Sequence, residues 1–148
     1  MADKRASRIL IADDNEANRE LLEAYLSELR CDHEVAVASD GQETLEQVEQ
    51  FQPDIVLLDV MMPKLSGFEV CRKLKQDDKT RRILILMVTA LNELGDIERA
   101  VEAGTDDFLS KPVQKPELIK RVENMLRFLD VTDELERLRS YIQAMEER

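Results

Sequence analysis

Histidines, cysteines and long apolar runs are scarce in this chain and cations are outnumbered by acids, and each of these closes off a class of function. Lys and Arg number 21 against 32 Asp and Glu, a net charge of −11. Gripping nucleic-acid phosphates needs clustered cations, so direct nucleic-acid binding is disfavoured. A basic protein partner or a bound cation suits the balance better. The lone histidine, His33, rules against His-rich metal sites and His-centred triads, and it reads as a turn or strand-edge residue. Cys31 and Cys71 have no metal-type spacing and suggest no disulfide framework. Two free thiols fit a reducing compartment. No apolar stretch approaches the roughly 20 residues of a membrane span. The opening Met1-Ala-Asp-Lys-Arg5 lacks the apolar core of a signal peptide. A cytoplasmic protein with no membrane contact is the expectation.

What remains is a chain of 148 residues, 43% hydrophobic and 36% charged, long enough to bury one real core. Short continuous apolar runs fall at Ile9–Ala12, Val35–Ala38, Ile55–Leu58 and Ile83–Val88, with a weaker one at Phe108-Leu109. Such runs read as strands buried on both faces. Amphipathic stretches separate them: 16–29 with Leu21, Leu22, Tyr25, Leu26 and Leu29; 41–51 with Leu45 and Val48; 67–75 with Phe68, Cys71 and Leu74; 92–103 with Leu94, Ile97 and Val101; and 115–129 with Leu118, Ile119, Val122, Leu126 and Leu129. Strand and helix alternate five times. That predicts an α/β, doubly wound (βα)5 flavodoxin-like parallel sheet, strand order 2-1-3-4-5, with helices on both faces. Sheets of this kind carry their sites at the carboxyl ends of the strands.

The organisation reads as an N-terminal tail (1–7), one domain (8–129) and a C-terminal helical extension (130–148). In the last stretch Phe128, Val131, Leu135, Leu138, Ile142 and Met145 step by 3 and 4, an a/d heptad seam of under three heptads. It contains no glycine or proline, so the final helix can run on past the domain. One reading is a solvated helix folded back on its own domain; the preferred one is a dimerising, coiled-coil or signal-carrying helix.

Acids sit where this topology puts its sites. Asp13 and Asp14 follow the first strand, and Asp59 ends the third, in Val-Leu-Leu-Asp-Val-Met-Met-Pro. The 2-1-3-4-5 order makes those strands neighbours, so three carboxylates converge. Like charges that close repel unless a cation intervenes; a hard divalent ion such as Mg²⁺ resolves this with oxygen ligands. Asp13 and Asp14 could instead cap the first helix, with Asn15 sharing that role. Thr89 ends the fourth strand and Lys111 the fifth. Three acids, a hydroxyl and an ammonium on one rim can hold a phosphoryl group, and an aspartate can itself form an aspartyl phosphate.

"ILIADDN", "DIVLLDVMMPKLSGFEV", "ILMVTAL" and "EAGTDDFLSKP", with their spacing, resemble the receiver domain of two-component response regulators over residues 8–129. The resemblance implies that Asp59 accepts a phosphoryl group from a sensor histidine kinase or phosphotransfer protein. It implies that Asp14 binds Mg²⁺ directly, Asp13 through a water, and Met61 through its backbone carbonyl. Thr89 matches the switch hydroxyl and Lys111 the lysine that pairs with phosphoryl oxygens, the two acting with Asp59 as the catalytic set. The Lys111-Pro112 bond matches a usual cis peptide, Phe108 the switch aromatic, Gly67 the loop glycine before the third helix and Pro63 a turn proline. Met61 and Leu91, two residues after Asp59 and Thr89, are apolar; neither offers a side chain to position an attacking water, so slow loss of the phosphoryl group is expected. Related aspartyl-phosphate hydrolases carry a second acid where this chain has Met61, which argues against an enzyme beyond self-phosphorylation and dephosphorylation. A pseudo-receiver that takes no phosphate is disfavoured by the intact set. The implied output is the face of the fourth helix, fifth strand and fifth helix, with Glu98, Arg99, Glu102, Asp106, Asp107 and Lys120 suited to pairing in a homodimer. The chain reads either as a stand-alone receiver or as one whose tail connects to an effector domain.

Overall fold

A computed structural model describes residues 6–90 and 94–146. Five strands, β1 (Ser7–Ala12), β2 (His33–Ala38), β3 (Ile55–Leu58), β4 (Leu84–Thr89) and β5 (Asp107–Ser110), form one parallel sheet in the order β2-β1-β3-β4-β5. Between and after them come α1 (Glu16–Leu26), α2 (Gly41–Phe51), α3 (Gly67–Gln76), α4 (Leu94–Ala103) and α5 (Lys115–Glu146). This is the predicted five-stranded doubly wound fold.

Successive strand residues point to opposite faces, and the core divides accordingly. Leu10, Val56, Leu58, Ile85 and Met87 pack with Val48, Phe68, Cys71 and Leu74 under α2, α3 and α4. Ile9, Ile11, Leu57, Leu86 and Val88 pack with Leu22, Leu26, Leu118 and Val122 under α1 and α5. Every residue of β3 and β4 is buried, so their uninterrupted apolar runs have a plain cause. β2 departs from the expectation of burial on both faces. It is an edge strand, paired only with β1, and leaves Val37 39% exposed.

Two helices also differ from the periodicity. α1 stops at Leu26, where the Ser27 hydroxyl donates to the Ala24 carbonyl (2.6 Å); Leu29 is buried from the following turn. In α4 Ala100 and Ala103 face the sheet, while Ile97 and Val101 are exposed; the Leu94 side chain lies outside the described residues. Small residues let α4 pack close to its neighbours. Arg99 also stacks on the Phe68 ring of α3, 4.3 Å from its centroid. The expected helix start at Asn92 lies outside the described residues.

α5 is one helix of 32 residues. Its first half covers the sheet and its second half continues past it, so the 129/130 boundary falls inside a continuous helix. Phe128, Val131, Leu135, Leu138, Ile142 and Met145 are all exposed. His33 opens β2, with its Nδ1 2.9 Å from the Cys31 carbonyl. Among the described residues no helix is long and apolar enough to cross a membrane.

Candidate phosphoryl and metal site

Strand register brings the acids together. Ala12 pairs with Leu58, so Asp13 and Asp59 leave the sheet side by side. The Asp59 amide donates to the Ala12 carbonyl (2.9 Å), and the Asp13 amide to the Ala38 carbonyl (3.1 Å). One carboxylate oxygen from each of Asp13, Asp14 and Asp59 lies within 4.8 Å of the others. Asp13 and Asp59 are buried, at 2% and 6% exposure, while Asp14 is exposed. Asp59 thus stands at the end of the core strand, shielded by its neighbours, and faces the other acids.

The N-cap of α1 is Asn15, whose side chain accepts from the Asn18 amide (3.0 Å). Asp13 does not cap the helix; its Oδ1 accepts from the Asn15 amide (2.9 Å) and its other oxygen faces the cleft. Arg19 Nη1 donates to the Asp13 carbonyl (2.8 Å), fixing the backbone at the acid pair. That contact had no signal in the sequence.

On the other side, Thr89 pairs with Ser110, and the Lys111 amide donates to the Thr89 carbonyl (3.0 Å). Thr89 is buried at 1% exposure beside this strand end. The Lys111–Pro112 peptide is cis. Lys111 Nζ lies 3.1 Å from Asp13 Oδ2 and 3.4 Å from Asp59 Oδ2, so one ammonium answers two carboxylates. Burial, and then the Asp13 charge, push the Asp59 carboxyl above its ordinary range; Lys111 and the Met61 amide (3.3 Å to Oδ1) pull only partly back. Burial would lower the Lys111 ammonium, but the charges of Asp59 and Asp13 outweigh it and hold it above its usual value.

Gly67 closes the site from behind. A Cβ there would collide with the Asp59 carbonyl oxygen and sit 2.7 Å from Val60 Cα. The start of α3 therefore packs directly on the Asp59 backbone. Ser66 caps that helix in a reciprocal pair with Glu69. Met61 is 74% exposed at the mouth. Phe108 is half-buried against the cluster that contains Ala100 and Met87. Leu91 lies outside the described residues. Beside Lys111 a depression of about 510 Å³ opens between α1 and the β5–α5 connection, lined by Asn18, Leu21, Leu22, Tyr25, Pro112 and Val113.

On the face of α4, β5 and α5, three of the charges expected to serve a partner are engaged within the chain. Asp107 holds Arg121 at 2.6 Å, Asp106 holds Lys75 at 2.7 Å, and Arg99 lies on Phe68. Glu98, Glu102 and Lys120 are exposed, together with the apolar Ile97 and Val101.

A model of the response regulator receiver domain matches residues 9–123. Response regulator PleD of Caulobacter vibrioides is 48% identical over 130 residues, 88% of this chain. The match covers 28% of PleD, so this chain spans under a third of that relative. Among solved structures, a response regulator from Chloroflexus aurantiacus superimposes with a TM-score of 0.77 at 34% identity, covering 83% of this chain and 99% of that one. The receiver domain of sensor histidine kinase PA1611 from Pseudomonas aeruginosa, solved with a magnesium ion in its active-site cleft, superimposes with a TM-score of 0.73 at 30% identity, covering 82% of this chain and 98% of that one.

Proposed function

Because this chain belongs to the response regulator receiver domain family, we propose that it is a phosphorylation-activated switch in which Asp59 takes a phosphoryl group from a histidine kinase or phosphotransfer protein. The observation that carries this reading is the convergence of Asp13, Asp14 and Asp59 with Lys111 bridging two of them. The donor set fits Mg²⁺: hard carboxylate oxygens, close together, with the Met61 carbonyl as a further oxygen. When bound by Asp13, Asp14, Asp59 and Met61, the ion supplies positive charge to the oxygens of the transferring group.

The chain's own residues then divide the work. An Asp59 oxygen attacks phosphorus as the donor's P–N bond breaks, and the acyl phosphate forms with the imidazole as leaving group. The Lys111 ammonium, already at the site, turns to a phosphoryl oxygen, and the Thr89 hydroxyl donates to another. The depression beside Lys111 gives the donor an approach, with Leu21, 46% exposed, on its α1 wall. Exposed Met61 offers no polar group to orient water, which favours a long-lived acyl phosphate. Two free cysteines fit action in a reducing cytoplasm.

Phosphorylation adds about −1.5 to −2 charges and three strong acceptors. One hydrogen bond to a charged group contributes about 1.5–3 kcal/mol. Turning a two-state balance from 1:99 to 99:1 takes about 5.5 kcal/mol. Thr89 alone is too little; Lys111 and backbone donors after β4 must act with it. The readout is the α4–β5–α5 face, through an inward turn of Phe108 and pairing of two copies around Ile97 and Val101. Beryllofluoride with Mg²⁺ mimics the phosphoryl group. It should slow hydrogen exchange at Thr89, Phe108 and α4 in the wild type and not in Asp59→Ala. Unchanged exchange on that face, or the same change in Asp59→Ala, would refute the reading.

A further inference from the structure

Two stripes run along α5, and they exchange character where the helix leaves the sheet. Leu118, Val122 and Met125 are buried against the receiver's own sheet. The same stripe continues through Leu129 and Thr132 to Glu136, whose carboxylate meets Arg82 Nη1 of the α3–β4 connection at 2.7 Å. That is the side on which the extension faces its own domain. The seam Phe128, Val131, Leu135, Leu138, Ile142 and Met145 lies one residue earlier at each turn, about 100° around the helix. It therefore looks aside, and each member is 47–59% exposed. Followed upward with the same 4 and 3 steps, the seam becomes Asn124, Arg121 and Glu117, all polar. The apolar stripe begins only where the receiver ends.

We propose that a second copy of this chain covers this seam as a parallel, in-register, two-stranded coiled coil from Phe128 to Met145. The charges flanking the seam select both the occupant and its direction. With Phe128 at position a, Glu134 falls at g and Arg139 at the following e. In a parallel pair each g residue faces the partner's e residue five positions on, so Glu134 meets the partner's Arg139, twice per dimer. In an antiparallel pair g faces g and e faces e. That sets Glu134 against the partner's Tyr141 and Arg139 against the partner's Thr132, and the charge complementarity is lost. The parallel arrangement also carries the outward faces of both α5 helices to the same dyad, so it is continuous with pairing through α4–β5–α5. This goes beyond the phosphoacceptor reading: the seam is exposed without a phosphoryl group, and coil pairing needs none.

The test uses the full chain with no phosphoryl donor. Sedimentation across the micromolar range should give twice the 17.1 kDa of one chain, and Leu135→Glu/Leu138→Glu should give one chain with an unchanged far-UV spectrum. Glu134→Arg should weaken pairing roughly 2- to 30-fold, from two exposed ion pairs. Adding Arg139→Glu should restore it, because residues five apart on one helix are not neighbours. In a Cys31→Ser background, Leu138→Cys should cross-link to itself on mild oxidation. A monomeric wild type, a dimer that survives the double Glu variant, a trimer, or cross-linking confined to mixed Val131→Cys and Ile142→Cys chains would each overturn the proposal. None of these outcomes depends on Asp59, so failure here leaves the phosphoacceptor reading standing.

Discussion

Replacing Asp59 by Asn should stabilise the metal-free, unphosphorylated fold, and three charges decide the sign. Lys111 lies 3.1 Å from Asp13 and 3.4 Å from Asp59, and the two carboxylates approach within 4.8 Å. At an effective dielectric constant of about 20, each Lys111 contact is worth about 5 kcal/mol and the carboxylate repulsion about 3.5 kcal/mol. Neutralising Asp59 loses one attraction and relieves the repulsion from buried Asp13, a net cost of about 1.5 kcal/mol; relief of the solvent-screened repulsion from exposed Asp14, also within 4.8 Å, reduces that cost further. Against this stands the lost hydration of a carboxylate only 6% exposed, an effective penalty of several kcal/mol. Desolvation wins, in keeping with the raised Asp59 carboxyl, for which burial is the first cause. The expected gain is about 1–3 kcal/mol at neutral pH, or a Tm higher by about 2–4 °C for each kcal/mol. The pH dependence follows from the sign of the shift. A carboxyl raised by folding contributes its stability fully below the ordinary carboxylate value and loses it as pH rises through the folded value. The variant's advantage should therefore be largest at neutral pH and vanish below about pH 4. Urea denaturation in EDTA at several pH values measures it. An Asn variant less stable than wild type at neutral pH, or an advantage that grows on acidification, would refute the reasoning.

Other consequences are as direct. Cys71 is buried, its thiol pushed up to about 11, and its Sγ donates to the Ala103 carbonyl (3.3 Å), whereas Cys31 is exposed. Alkylation of the native protein at pH 8 should modify Cys31 alone, with a second adduct only after denaturation; two adducts on the native fold would contradict this. Gly67→Ala forces a methyl into the Asp59 carbonyl, so it should cost about 1–3 kcal/mol in denaturation and also slow phosphorylation of Asp59. Met61→Asn places an amide at the mouth of the site and should shorten the life of the acyl phosphate, followed by loss of label; an unchanged lifetime would remove Met61 from that role.

The parts of the fold legible in the sequence are those where burial leaves one reading. β3 and β4 are covered on both faces, so Ile55–Leu58 and Ile83–Val88 show as unbroken apolar runs. β2 is legible as a strand but not as an edge, because Val37 reads the same in a sequence whether it is covered or, as here, 39% exposed. α4 misleads because periodicity weights large side chains; among its described side chains Ile97 and Val101 lie on the outward face, and Ala100 and Ala103 are the buried ones. In α5 the change of stripe near Met125 was invisible as one amphipathic pattern, though the seam itself was plain. Strand order and the positions of Asp13, Asp14 and Asp59 were enough to foresee three converging acids. The Arg19 contact to the Asp13 carbonyl and the collision behind Gly67 were not foreseeable, because they depend on how chain segments cross in space.

The central claim is that Asp59 is the residue that becomes phosphorylated, with an acidic pocket that works through Mg²⁺. Intact mass after incubation with acetyl phosphate tests it most directly. One added phosphoryl group is expected on the wild type with Mg²⁺, little or none in EDTA, and none on Asp59→Ala, with Lys111→Met retaining far less label than wild type. Equal labelling of Asp59→Ala and wild type, or an unlabelled wild type with Mg²⁺ present, would contradict the account.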